Sequence, residues 1–445
     1  MIAPTPASGT AGTTGTTTAE KTPAEETATE ETATEETAAA STEAGTSASG
    51  TNASRNHPPA RLYGDHAAGS PVRADAIDAM LPFMTEAFGN PSSVHSHGMM
   101  ARRALDAARS SLAVNLGADP DEVVFTSGGT ESNNLAIKGI ALAATATGDS
   151  TPQRPRRVLV SACDHPAVRE SARWLSRWFG FEVLTIPVDP QAHIDLTALR
   201  GMAASGACLA CLPWANSEVG TIEPVAEAIR ICHTAGIPVH IDAVQAAGTI
   251  PVNFHAVEAD SLSISGHKFG APRSTGAWLV RRGLPVEPLL SGGGQENGLR
   301  PGTENVAGCA AMAVSLDDAT TEMRSINPPL AAARDSLIDA VLASIPRARL
   351  TGDPLHRLPG HASFVVPGIE AEALLVDLDV RGVECSSGTA CAVGRHDIPP
   401  TLLAMGISQD DARGALRLSF RRPPRNSDIA LIARCLTESC TSFGL

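Results

Sequence analysis

The stretch Ser261-Leu-Ser-Ile-Ser-Gly-His-Lys-Phe-Gly270 concentrates residues able to do chemistry. Residues 261–265 read as a short buried strand that runs into a glycine turn and presents His267 and Lys268. A lysine at a strand end can be desolvated until its free amine is populated, and a free amine condenses with a carbonyl cofactor as a Schiff base. Ser265 and His267 add a hydroxyl and an imidazole that could hold a phosphate on the same molecule. An isolated Gly-His-Lys is otherwise a solvated loop, so the chemistry depends on what the rest of the chain brings to this turn.

The surrounding pattern alternates strands and helices. Strands are predicted over residues 123–126, 158–161, 181–186, 208–212, 238–241, 261–265 and 277–280. Residues 100–116 read as a helix with Leu105, Ala108 and Leu112 on one face and Gly117 at its end. Residues 224–236 read as another, with proline in its first turn and glycine after its last. Such alternation predicts an α/β fold with a largely parallel seven-stranded sheet, covered on both faces, whose ligands bind beyond the carboxyl ends of the strands. Beyond about residue 320 the rhythm changes to a helix near 331–345 followed by short strands, which predicts a smaller α+β domain. The expected boundaries are a tail over 1–58, an N-terminal segment of the small domain over 59–77, a large domain over 78–322 and a small one over 323–445.

The tail is Thr/Ala/Glu/Ser-rich, with Glu-Glu-Thr-Ala-Thr repeated from Glu25. It buries too little apolar surface to offset its ordering entropy and is expected to be disordered. Eight Glu against one Lys in residues 1–50 carry half of the net charge of -14. No basic run appears, which argues against direct nucleic-acid binding, and no apolar run could span a membrane. Nine cysteines without a signal peptide point to reduced thiols in the cytoplasm. Cys208 and Cys211 form a CxxC, but in a strand they would face opposite ways, as core thiols. No metal site is expected.

Other strand ends carry suitable polar groups. After residues 123–126 comes Ser127-Gly-Gly-Thr130, where Gly129 and Thr130 open a helix whose free N–H groups make an anion site, or simply a capped helix start. The strand over 238–241 ends on Asp242, with Gln245 three residues on; a carboxylate there could pair with a pyridinium nitrogen. His165 follows another strand and could lie on an aromatic ring or move protons.

Together these residues spell out a family. Phe88-Gly-Asn-Pro-Ser-Ser-Val-His95, Thr126-Ser-Gly-Gly-Thr-Glu-Ser-Asn133, Asp164-His165, Asn216-Ser-Glu-Val-Gly220, His240-Ile-Asp-Ala-Val-Gln245, Ser265-Gly-His-Lys268, Gly292-Gly-Gly-Gln295, Arg300-Pro-Gly-Thr-Glu304, Ser386-Ser-Gly-Thr-Ala-Cys391 and Ala415-Leu-Arg-Leu-Ser419 occur in order. From about Arg61 onward the chain resembles the cysteine desulfurases of the NifS/IscS type, class V aminotransferase relatives that use pyridoxal 5'-phosphate on a fold-type I scaffold. The resemblance implies that Lys268 forms the Schiff base, Asp242 pairs with the pyridinium nitrogen, Gln245 reaches the phenolic oxygen and His165 stacks on the ring and shuttles protons. Gly129, Thr130, Ser265 and His267 would hold the phosphate, and Thr303 would reach it from the second subunit of a homodimer. Arg417 would clamp the carboxylate of L-cysteine beside Asn216, and Cys391 would be the nucleophile that takes sulfur for an acceptor protein.

Cys391 follows a small-residue segment that builds no core and precedes the polar loop 393–400, which resembles the long-loop branch of the family; Cys385 reads as core. Four departures mark this chain: Gly69-Ser70, Ser274, Asn297 and Arg421 stand where the family usually has Thr-Thr, Gly, Arg and Gly. Two rivals remain, a selenocysteine lyase or other class V reaction, and a silent scaffold that binds the cofactor and a partner. The acceptor of the sulfur, whether an iron–sulfur scaffold, a nucleic-acid thiolation system or a sulfur carrier, is open. Because the tail cannot pack a core, removing residues 1–58 should leave cofactor content and cysteine turnover nearly unchanged, measured by absorbance and sulfide release.

Overall fold

A seven-stranded sheet carries the strand ends singled out above, in a computed structural model that describes residues 61–146, 155–388 and 398–444. A two-residue β1 (Leu62–Tyr63) precedes it. The sheet strands are β2 (Val123–Thr126), β3 (Arg157–Ser161), β4 (Glu182–Ile186), β5 (Leu209–Pro213), β6 (Val239–Asp242), β7 (Ser261–Ser265) and β8 (Gly276–Val280). Their order is β2-β8-β7-β6-β5-β3-β4. Every pairing is parallel except those of β8, which runs antiparallel to both neighbours. The other six strands therefore point the same way and end at one edge, where ligands bind in such sheets. Predicted and observed strand limits agree to within one residue.

The faces follow from the period-two pattern. Phe125, Leu212, Ile241, Leu262 and Ile264 enter one core, and Val124, Val160, Cys211 and Trp278 enter the other. The first core is closed by α2 (Ser96–Leu116), reached through α1 (Ala74–Thr85); the second by α3 (Gly129–Ala146) and α4 (Pro166–Phe179). In α2, His95 accepts from the Gly98 N–H at the start, and Gly117 ends the helix at φ 61°, a left-handed cap. Cys208 corrects the face argument above: it lies before β5 begins, outside the strand alternation, and joins Cys211 in the same core.

Next come α5 (Leu196–Ala204), α6 (Val225–Thr234) and α7 (Val306–Ser344). The separate helix expected over 331–345 is the second half of α7, a single 39-residue helix. Its first half buries Met312, Leu316 and Ala319 in the first core; its second half buries Leu330, Leu337 and Val341 in a third. Pro328 and Pro329 lie inside it. Each proline costs a helix interior about 3 kcal/mol, and apolar burial on both sides outweighs that. The boundary expected between 322 and 323 falls within this helix.

The third core lies under a three-stranded antiparallel sheet ordered β12-β10-β9, from β9 (Arg349–Leu350), β10 (His361–Val365) and β12 (Ala415–Ser419), with α8 (Ala371–Val380) and the C-terminal helix Asn426–Ser442. Between α8 and β12, β11 (Val383–Glu384) pairs in parallel with β1, and Asp65 bridges to Ser419. The first described residues thus belong to the small sheet while their continuation reaches Lys268.

The turn after β2 leaves no spare volume. A Cβ on Gly276 would sit 2.4 Å from the Gly128 Cα and 2.6 Å from its nitrogen, and backbone cannot give way like a flexible side chain. Gly276→Ala should therefore cost about 1–3 kcal/mol by displacing the Gly128 turn, seen as a lower urea midpoint.

Candidate active site

The lysine is placed by its strand and by the N-terminal segment. Residues 266–268 form one 3-10 turn after β7, and the Lys268 Nζ donates to the Ala67 carbonyl at 2.5 Å and the Ala68 carbonyl at 3.2 Å. Gln245 Nε2 donates to the same Ala67 carbonyl at 3.0 Å, so the two residues meet at one acceptor. The Lys268 carbonyl accepts from Ser70 Oγ at 3.2 Å and from Arg421 Nη1 at 3.0 Å. Arg421 also donates to Thr249 Oγ1 and to the Gly248 carbonyl, at 3.0 and 2.5 Å. Two of the departures, Ser70 and Arg421, are therefore clamps on the turn of Lys268. Burial lowers Arg421 to about 10, which leaves it charged at neutral pH.

The expected phosphate groups converge beside that turn. Ser265 Oγ lies 3.0 Å from His267 Nδ1. Burial, then the Lys268 and Arg273 charges, lowers His267 to about 4, so it meets an anion as a neutral imidazole. Gly129 and Thr130 open α3, whose first backbone N–H groups have no intrahelical acceptor. A Cβ on Gly129 would lie 2.5 Å from Val244 Cγ2, so a larger residue would push the helix start away from β6. Glu131 accepts from the Ser127 N–H at 2.7 Å and pairs with Arg300 at 2.8 Å, fixing the turn. Ser274 adopts φ 62° and Asn297 φ 56°, both left-handed without glycine's tolerance.

Asp242 ends β6, buried, accepting from Asn133 Nδ2 at 2.8 Å and from the Val244 N–H at 3.0 Å. His165 is the N-cap of α4, accepting from the Ala167 N–H at 3.1 Å through Nδ1, with Pro166 at the first helical position. Asn216 behaves differently from the expectation of a ligand contact. Its amide donates to the Cys163 carbonyl and Thr401 Oγ1, at 3.1 and 3.2 Å, and accepts from the Glu218 and Val219 N–H groups, both at 2.8 Å. In this conformation it holds the turn that carries Ser217.

That turn in turn holds Arg417, on β12. The buried guanidinium pairs with Asp65 at 2.7 Å and donates to the Ser217 and Gly388 carbonyls at 2.8 and 3.2 Å. Among the described residues its Nε has no hydrogen-bond partner, a buried donor left for something else. Asp65 gave no signal in the sequence beyond its place before Ala67; Asn133 and His240 sat within recognised motifs without a role. Thr303 is exposed and lines a cavity of about 200 Å³ with Thr126, Ser127 and Thr275, on a different set of neighbours from Lys268. Cys391 lies outside the described residues. Burial raises the thiols of Cys163 and Cys211 well above the ordinary range, and those of Cys232 and Cys385 to about 12. Among the described residues, Asp119, Glu122 and His255 bring ligand atoms within 4.8 Å, but Arg282 pairs with Asp119 and His255 bonds Glu122 at 2.7 Å. This is an ion-pair cluster on the surface.

The arrangement is a lysine amine, a buried carboxylate, a helix start with hydroxyl and imidazole beside it, and a buried guanidinium with one donor to spare. Comparison with known proteins gives it a context. The aminotransferase class-V family profile matches residues 62–432. An IscS-like cysteine desulfurase of Mycobacterium tuberculosis is 42% identical over 371 residues, 82% of this chain and 93% of the relative. The cysteine desulfurase IscS of Methanosarcina thermophila is 38% identical over 377 residues, 85% of this chain and 91% of the relative. Among solved structures, a NifS-like protein superposes with a TM-score of 0.79 at 32% identity, covering 86% of this chain and all (100%) of that one. SspA in complex with cysteine gives 0.70 at 27% identity, covering 82% and 99%.

Beside the Asn216 turn, Glu223 is buried, with one carboxyl oxygen accepting from the Ile194 N–H at 2.9 Å and the other without a partner among the described residues. Burial raises its pKa to about 8. In the unfolded chain it ionises near 4.5, so stability is full below that pH and falls as pH rises towards 8. Glu223→Gln keeps the acceptor for Ile194 and removes this slope. Between pH 5 and 8.5 the variant should lose less stability than the wild type, by roughly 2–4 kcal/mol, read from urea midpoints.

Proposed function

Because the chain belongs to the class-V aminotransferase family and is a pyridoxal-phosphate-dependent cysteine desulfurase, we propose which of its residues hold the cofactor, bind L-cysteine and take the sulfur. The observation that carries the assignment is the convergence of Lys268 and Gln245 on Ala67, with Ser265, His267 and the start of α3 beside them. This donor set fits pyridoxal phosphate: an amine for its aldehyde, a carboxylate for its ring nitrogen, and N–H, hydroxyl and imidazole groups for its phosphate. When bound, the cofactor supplies an electron sink for bonds at the substrate Cα.

Lys268 would hold the aldehyde of the cofactor, and its amine is the group placed to move the Cα proton. Its Nζ donates to the Ala67 and Ala68 carbonyls, which hold the amine at the end of β7. Asp242 accepts from the ring nitrogen, and Gln245 donates to the phenolic oxygen. Gly129, Thr130, Ser265 and His267 bind the phosphate, and His165 covers the ring and relays a proton. Arg417 binds the substrate carboxylate, which the unused Nε of its buried guanidinium supports. Asn216 serves through the turn that sets Ser217 against Arg417. The Cys391 thiolate attacks the substrate sulfur, an S–S bond forming as the C–S bond breaks, and alanine leaves after protonation. Gly388, three residues earlier, bonds Arg417 through its carbonyl, so the chain enters that segment beside the carboxylate site. The raised thiols of Cys163, Cys211, Cys232 and Cys385 are poor rivals for the role.

A homodimer is supported by Ile77, Leu81 and Met84 on α1, with Phe88, Met99 and Met100, all apolar and exposed. It would bring Thr303 of each subunit to its partner's phosphate. A protein acceptor for the persulfide and a cytoplasmic setting complete the proposal; among the described residues no helix is long and apolar enough to cross a membrane.

Replacing Cys391 by Ser should lower sulfide and alanine release at least ~100-fold, while L-cysteine still shifts the cofactor absorbance. Release at the wild-type rate would remove Cys391 from the mechanism. Lys268→Ala should lose the borohydride-reducible link seen by intact mass. Light scattering should return twice the chain mass, and a monomer that holds the cofactor normally would remove Thr303 from the phosphate site.

A further inference from the structure

Between α3 and the sheet, a row of buried side chains leads to Asp242. Trp278 Nε1 donates to Ser261 Oγ at 2.6 Å. Ser261 Oγ lies 2.8 Å from His240 Nδ1, and His240 Nε2 lies 2.8 Å from Asn133 Oδ1. Asn133 Nδ2 then donates to Asp242 Oδ2 at 2.8 Å. None of the five is more than 7% exposed.

The protons in this row can be arranged in only one way. An indole N–H donates and never accepts; an ionised carboxylate accepts and never donates. Asn133 must therefore turn its NH2 to Asp242, which leaves its Oδ1 as an acceptor facing His240. His240 must donate from Nε2. Burial holds the imidazole neutral, with a pKa of about 3, so Nδ1 is bare and accepts. The only hydrogen left for Nδ1 is that of Ser261, whose lone pair takes the indole N–H. Ser263 Oγ, 3.3 Å from His240 Nε2, can only share the same N–H. Reversing any link would strand a buried donor or acceptor at about 1–3 kcal/mol.

A packed apolar set at these positions would avoid the cost of burying polar groups. The row ends on the one carboxylate proposed to meet the cofactor. We infer that Trp278, Ser261, His240 and Asn133 form a one-way chain of donors that fixes the orientation of the Asp242 carboxylate, making Asn133 and His240 positioning residues for the cofactor's ring nitrogen. Each donor polarises the next, so the end of the chain presents Asp242 with a stronger N–H than an isolated amide. Asp242 in turn keeps its other oxygen anchored by the Val244 N–H. This rests on the role proposed for Asp242 above.

The test is a double-mutant cycle on the apparent pyridoxal-phosphate dissociation constant of the holoenzyme. Ser261→Ala and Trp278→Phe touch neither Asp242 nor the cofactor-binding groups. Each should weaken binding by about tenfold, which corresponds to ~1.4 kcal/mol. In the Asp242→Asn background each should change it less than about twofold, because the chain then has no carboxylate to hold. A purely structural role would give the same factor in both backgrounds; that result, or no effect in either, overturns the chain. Asp242→Asn that binds as tightly as wild type would overturn the role of Asp242 itself, and the positioning role with it. Should both chain variants fail to fold, nitrogen NMR of the histidine-labelled wild-type holoenzyme decides: His240 protonated at Nε2 and bare at Nδ1 supports the chain, and a protonated Nδ1 overturns it.

Discussion

The bond from the Lys268 ammonium to the Ala67 carbonyl ties the end of the seven-stranded sheet to the N-terminal segment. Residues 62–69 start beside β11, pair Asp65 with Arg417, bond Ala67 to Ser419 Oγ through its N–H, and end against the lysine turn. The N-terminal segment is therefore the seam at which the group that binds the substrate carboxylate and the amine that does chemistry share a backbone. A carbonyl is a fitting partner for such a lysine. It accepts from the Nζ and sets the direction in which the side chain leaves its turn.

The parallel sheet supplies the second constraint. Six strands ending at one edge bring residues that are far apart in sequence, from Thr130 to Lys268, to a common rim. At that rim the backbone changes from strand to turn or helix, and each change leaves N–H groups free for a ligand. Glycines are kept where the rim is crowded: Gly276 lies against Gly128, and Gly129 against Val244. The polar side of β7, with Ser261, Ser263 and Ser265 on alternate positions, faces the α3 side, while Leu262 and Ile264 close the opposite core.

Buried charge is handled locally and in distinct ways. Arg417 meets a carboxylate, whereas Arg421 is surrounded by carbonyl oxygens and a hydroxyl, with its positive charge delocalised over a planar fork that suits such acceptors. Glu223 is held largely protonated at neutral pH by burial, and His240 is held neutral for the same reason.

The sequence alone determined the α/β class, the seven strands to within a residue, and the strand-end positions of Lys268, Asp242, His165 and Thr130. Those follow from local periodicity and from motifs whose spacing is set by a strand and its following turn. It could not reveal that Asn216 spends its NH2 on the Cys163 carbonyl and Thr401, that Asp65 pairs with Arg417, or that Arg421 clamps Lys268. Those partners are separated by up to 352 positions and meet only once distant elements are packed together. The continuity of α7 through two prolines was hidden for the same reason: proline is a local signal against a helix, and the burial that overrules it comes from two cores the helix joins. Local propensity acts over a few residues, but packing sums over every contact, and only the folded chain decides where that sum prevails.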